Sequence, residues 1–387
     1  MQFVHNEEQE LIRSTARSFL AARATPERMR AAMTQPGGYD AELWRSISGE
    51  LGWTGLAIPE RYGGAGLGWV ELCILEEEQG RRLVASPFFA TTALAAPIIT
   101  HAGSEEQRQE FLTRIARGTV RIACALAGPE GHPPLDGVTV ELTGKGGSHR
   151  LSGVADFVIH GDSADLLLVL ARAPSSRGLE GISIAVVPAN AAGIRIEPRV
   201  MLDLTRPMSR VTFENVAVKD EQLLGEPGAG GEAVARALQL ARIALASEAL
   251  GGAEQVLEMT TEYVQQRIQF GRPIASFQAI KHRLADMMIE VEAAKSAAWY
   301  AASVADEAPE ELAEAAAIAK SYCCDAFFDC AANAIQLHGG IGFTWEHGAH
   351  LYFKRARATA TLLGSPAWQR ERLMRLVAGG AAATPVF

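Results

Sequence analysis

The spacing of apolar side chains changes twice along the 387 residues of this chain. In the first stretch, apolar positions recur at helical intervals, as Leu11, Ile12, Phe19 and Leu20 do in "EEQELIRSTARSFLAAR". The segments "YDAELWRSISGELGW" and "GWVELCILEEEQGRRL" repeat that pattern, and the Gly- and Pro-containing loop "IPERYGGAGLG" separates them. We therefore predict an N-terminal helical domain over residues 1–118.

The middle of the chain consists of short segments rich in Val and Ile, each bounded by Gly, Pro or Asp. These segments are "GVTVELTG", "DLLLVLAR", "GISIAVVP", "IRIEP" and "SRVTFENVAV". Apolar residues alternate at Ile182, Ile184 and Val186, which is typical of a strand with one buried face. The pattern predicts a domain built on an antiparallel, half-buried β-sheet over residues 119–226.

From residue 231 onward, apolar residues again recur at the spacing of a helix. One helix carries Val234, Leu238, Ala241, Leu245 and Ala249, and a second runs from about residue 277 past residue 299. A third begins at about residue 309 and ends in paired glycines, which favour a left-handed helix cap. The Gly-rich segment "LLGEPGAGG" before the first helix lacks the ending of a phosphate loop and is interpreted as a linker. These features predict a helical bundle over residues 227–387.

Composition and charge narrow the class of protein. The net charge of −9 disfavours nucleic acid and anionic membrane as the main partner. No apolar run approaches the ~18 residues of a membrane-spanning helix, and the acidic N-terminus does not resemble a signal peptide. The five cysteines are odd in number and form no Cys-x-x-Cys pair, which favours a reduced, cytoplasmic protein.

Two features of the bundle could carry chemistry. Arg267 continues the line of the first helix to a buried or interfacial position, where a guanidinium needs an anion. That anion is either a carboxylate of its own fold or a phosphate or carboxylate from a ligand or another subunit. Gln336, Gly339 and Gly340 could admit a ligand close to the backbone, or could simply cap a helix. The histidines 338, 347 and 350 lack a partner at metal-ligand spacing, so no metal is expected.

Several longer segments resemble the acyl-CoA dehydrogenase family over essentially the whole chain. They are "GWTGLAIPERYGGAGLGWVELCILEEEQGR", "RVTFENVAVKDEQLLGEPGAGG", "QQRIQFGRPIASFQAIKHRLADM" and "AIQLHGGIGFTWEH". The resemblance implies an α+β multidomain fold, with an N-terminal helical domain, a middle β domain and a C-terminal four-helix bundle. It also implies a dimer of dimers.

The resemblance further implies FAD as cofactor and an acyl-CoA thioester as substrate. In the family a carboxylate removes the α-proton while a hydride passes from Cβ to the flavin. Each FAD is completed by motifs of a neighbouring subunit. Carried over by position, Arg267 would meet the pyrophosphate, with Phe270 and Gln278 beside it, and a loop would line the other side of the cofactor. That loop consists of Gln336, Leu337, His338, Gly339 and Gly340.

Other positions depart from the family pattern. Ala127 replaces a threonine that donates to the flavin, the Gly-Ser-Asp that follows it is absent, and Ile159 in "FVI" replaces a second threonine. The usual base position falls in the uncharged segment "ATATLLGSPAW", where Leu363 precedes Gly364-Ser365. An alternative base position is occupied by Ala241. Glu248 and Glu346 have no motif support as bases and are interpreted as fold or surface residues.

This uneven pattern resembles the base-lacking subunit of α2β2 bacterial enzymes of the steroid side-chain type. The leading hypothesis is a subunit that completes the FAD site of a paralogous partner. Three alternatives remain open: a self-sufficient homomeric dehydrogenase with a relocated base, another flavin oxidoreductase on the same fold, and a structural role without flavin.

Overall fold

The computed structural model describes residues 5–128, 135, 137–145 and 147–378. Eleven α-helices are formed by these residues. They are α1 (Glu7–Arg23), α2 (Pro26–Ala32), α3 (Ala41–Arg45), α4 (Trp69–Arg81), α5 (Ala96–Ala102), α6 (Glu105–Ala116), α7 (Gly231–Gln266), α8 (Gln278–Glu307), α9 (Leu312–His338), α10 (Ala349–Thr361) and α11 (Pro366–Ala378).

Nine strands are formed by the same part of the chain. They are β1 (Ile122–Ala125), β2 (Glu141–Lys145), β3 (Ser148–Ile159), β4 (Leu166–Arg172), β5 (Ile182–Pro188), β6 (Ile194–Pro198), β7 (Met208–Val218), β8 (Ile268–Gln269) and β9 (Arg272–Pro273). The order of elements confirms the predicted fold class, with helices first, a sheet in the middle and a helical bundle last. The domain bounds 1–118, 119–226 and 227–387 stay a prediction.

The described chain folds into two compact units, each of which draws on separate parts of the sequence. One unit comprises residues 5–30, 69–84 and 242–378, so that it joins α1 and α4 to most of the bundle. The other comprises the described residues of 31–68 and 85–241, which contain the seven-stranded sheet.

The large sheet has the order β1-β4-β2-β3-β7-β6. The seventh strand, β5, lies outside this order and also pairs with β4. Most of the sheet's ladders are antiparallel, as predicted, whereas β1–β4 and β2–β4 are parallel. The expectation of a half-buried sheet is wrong for β4 and β5, whose residues are buried on both faces. Their apolar runs are nearly continuous, which is typical of strands covered on both sides.

Two glycines allow α4 and α7 to cross at backbone contact. A Cβ added to Gly80 would lie 2.0 Å from the carbonyl oxygen of Glu248, and one added to Gly251 would lie 1.8 Å from that of Glu77. Because real Cβ atoms do not approach an oxygen so closely, each helix can pass the other only with glycine at the crossing. The crossing fixes the part of α7 that leads to Arg267.

Buried ion pairs join the helices of this unit. Arg13 of α1 contacts Glu77 of α4 at 3.0 Å, and Arg81 of α4 contacts Glu254 of α7 at 3.0 Å. A buried guanidinium is costly unless a carboxylate offsets its lost hydration, and these pairs meet that requirement. No helix among the described residues is long and apolar enough to cross a membrane.

Candidate functional site

The C-terminal ends of α7 and α9 meet, and this contact gathers the predicted cofactor residues of the bundle. The hydroxyl of Tyr263 donates to the carbonyl oxygen of His338 at 3.2 Å, and the two rings stack with centroids 4.3 Å apart. Arg267 follows one turn after Tyr263 and is exposed. Among the described residues, none forms an ion pair or hydrogen bond with its guanidinium. The described residues therefore give no support to the alternative that Arg267 pairs with a carboxylate of its own fold.

A tight hairpin carries Phe270 away from the bundle. Its two loop residues, Phe270 and Gly271, have φ values of 52° and 74° between β8 and β9, as in a type I′ turn. Positive φ is strained for phenylalanine, and this ring is 92% exposed, so packing within the chain does not explain it. The rings of Phe270 and Phe277 are nearly perpendicular, with their centroids 6.1 Å apart. The exposed Gln278 follows Phe277 directly. An exposed aromatic ring on a strained turn is a feature of binding sites.

The loop after α9 presents backbone to its surroundings. Gly339 has φ +64°, and a Cβ at Gly339 or Gly340 would meet no atom within 4 Å. Gln336 and both glycines are exposed, whereas Leu337 and His338 are buried. The ring of His338 is held by the carbonyl oxygen of Ala334 at 2.8 Å, so its side chain belongs to the packing. Any contact of His338 with a ligand on the exposed side would be made by its backbone.

The turn predicted to hold the family's base is built without an acidic side chain. Leu363 is 5% exposed and adopts φ +58°, followed by Gly364 at φ +101°. The carbonyl oxygen of Leu363 accepts 3.0 Å hydrogen bonds from Arg242 Nε and Gln369 Nε2. The backbone of this turn is therefore fixed by its neighbours, while an isobutyl group occupies the predicted base position.

The other positions considered for a base differ in their surroundings. Ala241 is completely buried in α7 and has no functional group. Glu248 is buried and forms an ion pair with Arg355 of α10 at 2.9 Å, which ties its carboxylate to the fold. Glu346 is exposed.

The positions of the predicted flavin donors lie in the unit that contains the large sheet. The carbonyl oxygen of Ala127 accepts from the Asp156 amide at 2.8 Å, and Ile159 pairs with Met208 in the ladder. Neither residue has a side-chain donor. Phe157 is 41% exposed at a bulge of β3 with φ +55°. The segment 129–134, where the family's Gly-Ser-Asp would follow, lies outside the described residues.

Two cations near the Leu363 turn were not predicted from the sequence. Lys320 is fully buried and donates to the carbonyl oxygens of Thr359 at 3.0 Å and Gly364 at 3.4 Å. Arg372 is 5% exposed on the inner side of α11. A single charge within the apolar segment "AAAIAKSYCC" was the signal that could have identified Lys320. Arg372 gave no such signal because it lies in a generally basic segment.

Other clusters in this unit are structural. A cavity of about 180 Å³ is lined by residues that include His5, Glu77 and Trp299, and by none of the predicted site residues. Burial raises the pKa of Glu77 to about 8, but Arg13 and the indole N–H of Trp299 already contact its carboxylate. No group of three potential metal ligands occurs among the described residues.

Comparison with known proteins assigns the chain to a family. Residues 6–119 match the model described as acyl-CoA dehydrogenase, N-terminal domain, and residues 228–378 match acyl-CoA dehydrogenase, C-terminal domain. The chain belongs to the acyl-CoA dehydrogenase family. The predicted family resemblance is therefore confirmed.

The chain is similar to several named acyl-CoA dehydrogenases (ACADs). The chain is 35% identical to the acyl-CoA dehydrogenase IpdE2 of Mycobacterium tuberculosis, over 96% of each protein. It is similar to the Tcur3481-Tcur3483 steroid ACAD (33% identity, TM-score 0.87), covering 97% of this chain and 99% of that one. It also resembles the ChsE4-ChsE5 complex of Mycobacterium tuberculosis (28% identity, TM-score 0.88), covering 100% of both chains.

Proposed function

We propose that this chain is the base-lacking subunit of a heteromeric, FAD-dependent acyl-CoA dehydrogenase. The family is flavin-dependent and acts on the CH–CH bond of acyl-CoA. The observation that carries the proposal is the contrast between two parts of the bundle. The ends of α7 and α9 present Arg267, Gln336, Gly339 and Gly340 at the surface, while the predicted base position holds a buried leucine.

The exposed set fits one edge of a dinucleotide held mainly by another subunit. Arg267 is a cation without an anion among the described residues, and an FAD pyrophosphate would supply one through charge-assisted hydrogen bonds. Gly339 and Gly340 leave space for close approach of the cofactor. Gln278 and Gln336 are exposed amides that can donate or accept.

The flavin-facing positions of this chain's own middle domain do not fit the cofactor as well. Ala127 and Ile159 provide neither of the hydroxyl groups that the family uses there. FAD, when bound, supplies the oxidant that accepts a hydride from the substrate. The role proposed for this chain is to hold one end of that FAD, while the paralogous partner provides the base and the remaining flavin contacts.

The names of the relatives support both the heteromeric assembly and a substrate class. ChsE4-ChsE5 is a complex of two different subunits, and Tcur3481-Tcur3483 is a steroid ACAD. We therefore propose an α2β2 assembly that acts on a CoA thioester derived from a steroid.

The test is to express the chain alone and together with a paralogue that is encoded near it and carries a glutamate at the base position. The chain alone is expected to be colourless and inactive, and the co-purified complex to be yellow and to reduce an artificial electron acceptor with a steroid CoA ester. A yellow lone chain that dehydrogenates a CoA ester would overturn the proposal in favour of the self-sufficient enzyme. A lone chain that oxidises a substrate with oxygen would indicate another flavin reaction.

A further inference from the structure

A tryptophan ring is exposed on the segment that joins α9 to α10. Trp345 is 56% exposed, and Phe343, two residues before it, is 75% exposed. The buried ring of His350 lies nearly perpendicular to the indole, with the ring centroids 4.8 Å apart. The indole is therefore supported from within the protein, while much of its surface stays open to solvent.

Two cations lie close to this ring. Cζ of Arg30, on α2, is 5.9 Å from the centre of the Trp345 ring, and Nζ of Lys354, on α10, is 4.9 Å from it. Arg30 is anchored there, because its Nη2 donates to the carbonyl oxygen of His347 at 3.1 Å. All of these residues belong to the same compact unit. Exposed apolar groups rimmed by charged side chains are a feature of binding surfaces.

The charges of the two cations are not cancelled. In the part of the chain that the structure describes, neither Arg30 nor Lys354 forms an ion pair with a carboxylate. The acidic residues nearest to them in sequence, Glu27 and Glu346, are exposed. Burial, followed by the charges of Lys354 and Arg30, lowers the pKa of His350 to about 4, so this ring is neutral near pH 7. The open indole therefore lies in a locally positive field, although the whole chain carries a net charge of −9.

A second tryptophan of the same unit shows this arrangement in a neutralised form. Cζ of Arg13 lies 4.9 Å from the centre of the Trp299 ring, and Nζ of Lys295 lies 4.8 Å from it. Each of these cations contacts a glutamate of another helix, with N–O distances of 3.0 Å and 3.9 Å, and the residue at 299 is half-buried. At Trp345 the ring and the two cations recur, whereas the described residues provide no carboxylate and leave the ring exposed.

We propose that Trp345, Arg30 and Lys354 form a binding site for a nucleotide, a planar base that carries phosphate. An indole stacks on a base, and guanidinium and ammonium groups bind phosphate oxygens. Phosphate supplies the anion that the two cations lack, and the base covers the exposed ring. An acidic protein segment would meet the cations but would not need the indole. The site includes none of the residues proposed to hold FAD, so the inference goes beyond the proposed function.

The experiment is isothermal titration calorimetry of the full chain with AMP, at constant ionic strength set by chloride. We expect saturable binding of AMP to the wild type, and weaker binding of adenosine and of inorganic phosphate, because each of these offers only one of the two recognised groups. Trp345→Leu should weaken AMP binding by about 5- to 100-fold. Trp345→Phe should weaken it much less, because a ring can still stack on the base.

The cation is tested separately from the ring. Lys354→Met should weaken the binding of AMP and of phosphate but leave adenosine unaffected. Arg357→Met is the matched control, because Arg357 is exposed on the same helix and its Cζ lies 5.9 Å from the half-buried ring of Phe328. It should bind AMP like the wild type. Circular dichroism checks that each variant folds, and Lys354→Met carries the test if Trp345→Leu does not fold.

Several results would overturn the proposal. One is the absence of saturable AMP binding to the wild type at millimolar concentrations, and another is equal AMP binding by the wild type, Trp345→Leu and Lys354→Met. A glutamate-rich peptide that binds at least as tightly as AMP would assign the surface to an acidic protein instead. AMP binding that Arg267→Met removes and Trp345→Leu retains would assign the nucleotide to the proposed FAD contact. None of these measurements requires flavin or turnover, so a failure here is distinct from failure of the proposed function.

Discussion

At the scale of single residues, Leu363 shows that backbone geometry and chemistry can be separated. Leucine at φ +58° is strained by about 1–2 kcal/mol, and the turn is held because Arg242 and Gln369 both donate to its carbonyl oxygen. These contacts involve only the main chain of residue 363. The structure of the turn is therefore independent of whether the side chain is a base.

This independence allows a direct probe of the site. Leu363→Glu should fold, because its backbone contacts are unchanged and the new carboxylate would lie near buried cations. We expect no dehydrogenase activity from the lone variant, because Ala127 and Ile159 still provide no flavin donors. Turnover of a CoA ester, followed with an artificial electron acceptor, is the measurement. Activity above that of Leu363→Gln, the matched control without charge, would contradict the expectation.

Residue-level prediction from the sequence depended on motifs that give each position a meaning. The motifs around Arg267 indicated the family, which the comparisons confirm, whereas the assignment of Leu363 to the base position stays a prediction. That no carboxylate among the described residues pairs with Arg372 could not be predicted, because it depends on which side chains α11 meets after folding. Likewise, the sequence does not reveal that the ring of His338 packs inward while the glycines after it are exposed.

At the scale of elements, α4 and α7 can cross closely because glycines at the crossing have no side chain. Gly251 of α7 lies against the carbonyl group of Glu77, with no room for a methyl group. Gly251→Ala should lower the free energy of unfolding by at least about 1–3 kcal/mol, because the two backbones must separate. Urea denaturation measures the loss. Gly49→Ala is the control, since its Cβ would meet no atom within 4 Å, and a similar loss there would contradict the explanation.

A buried lysine joins α9 to the end of α10. Lys320 donates to the carbonyl oxygens of Thr359 and Ala360, in the last turn of α10, and to that of Gly364, in the turn that follows. Lys320→Met keeps much of the volume but removes this shared donor, and should cost about 1–3 kcal/mol of unfolding free energy. Lys281→Met, at an exposed position of α8, should change it by less than about 0.5 kcal/mol. Equal midpoints in urea for the two variants would show that Lys320 is not needed there.

The elements that could be predicted were those with a regular period. The pattern of Val234, Leu238 and Ala241 corresponds to buried positions of α7, and the five predicted strand segments overlap β2 and β4 to β7. Strands β1 and β3 were not predicted. The first has only four residues, and the second is interrupted by Gly153 and two register shifts that break the alternation. Helix α9 begins at Leu312, three residues after its predicted start.

At the scale of the whole molecule, apolar and basic groups are exposed together at the end of α7. Phe270 is 92% exposed and Ile268 is 59% exposed on the short hairpin that follows Arg267. Such groups are unfavourable in water but useful at an interface that includes a cofactor. The family resemblance predicts a cofactor contact here, which stays a prediction, whereas the pattern of apolar residues alone does not distinguish the hairpin from a surface loop.

The decisive variant at this scale is Arg267→Met in the co-expressed complex. Its side chain has no partner among the described residues, so the substitution should leave the stability of the lone chain within about 0.5 kcal/mol. Loss of a charge-assisted contact to pyrophosphate should weaken FAD binding by about 10- to 100-fold, measured by flavin release on dilution and by the ratio of flavin to protein absorbance. Arg177→Met, which changes an exposed arginine of the sheet unit, is the control and should retain full flavin.

If Arg267→Met also retains full flavin, Arg267 does not hold the cofactor. If it dissociates the subunits without first losing flavin, its anion belongs to the partner protein.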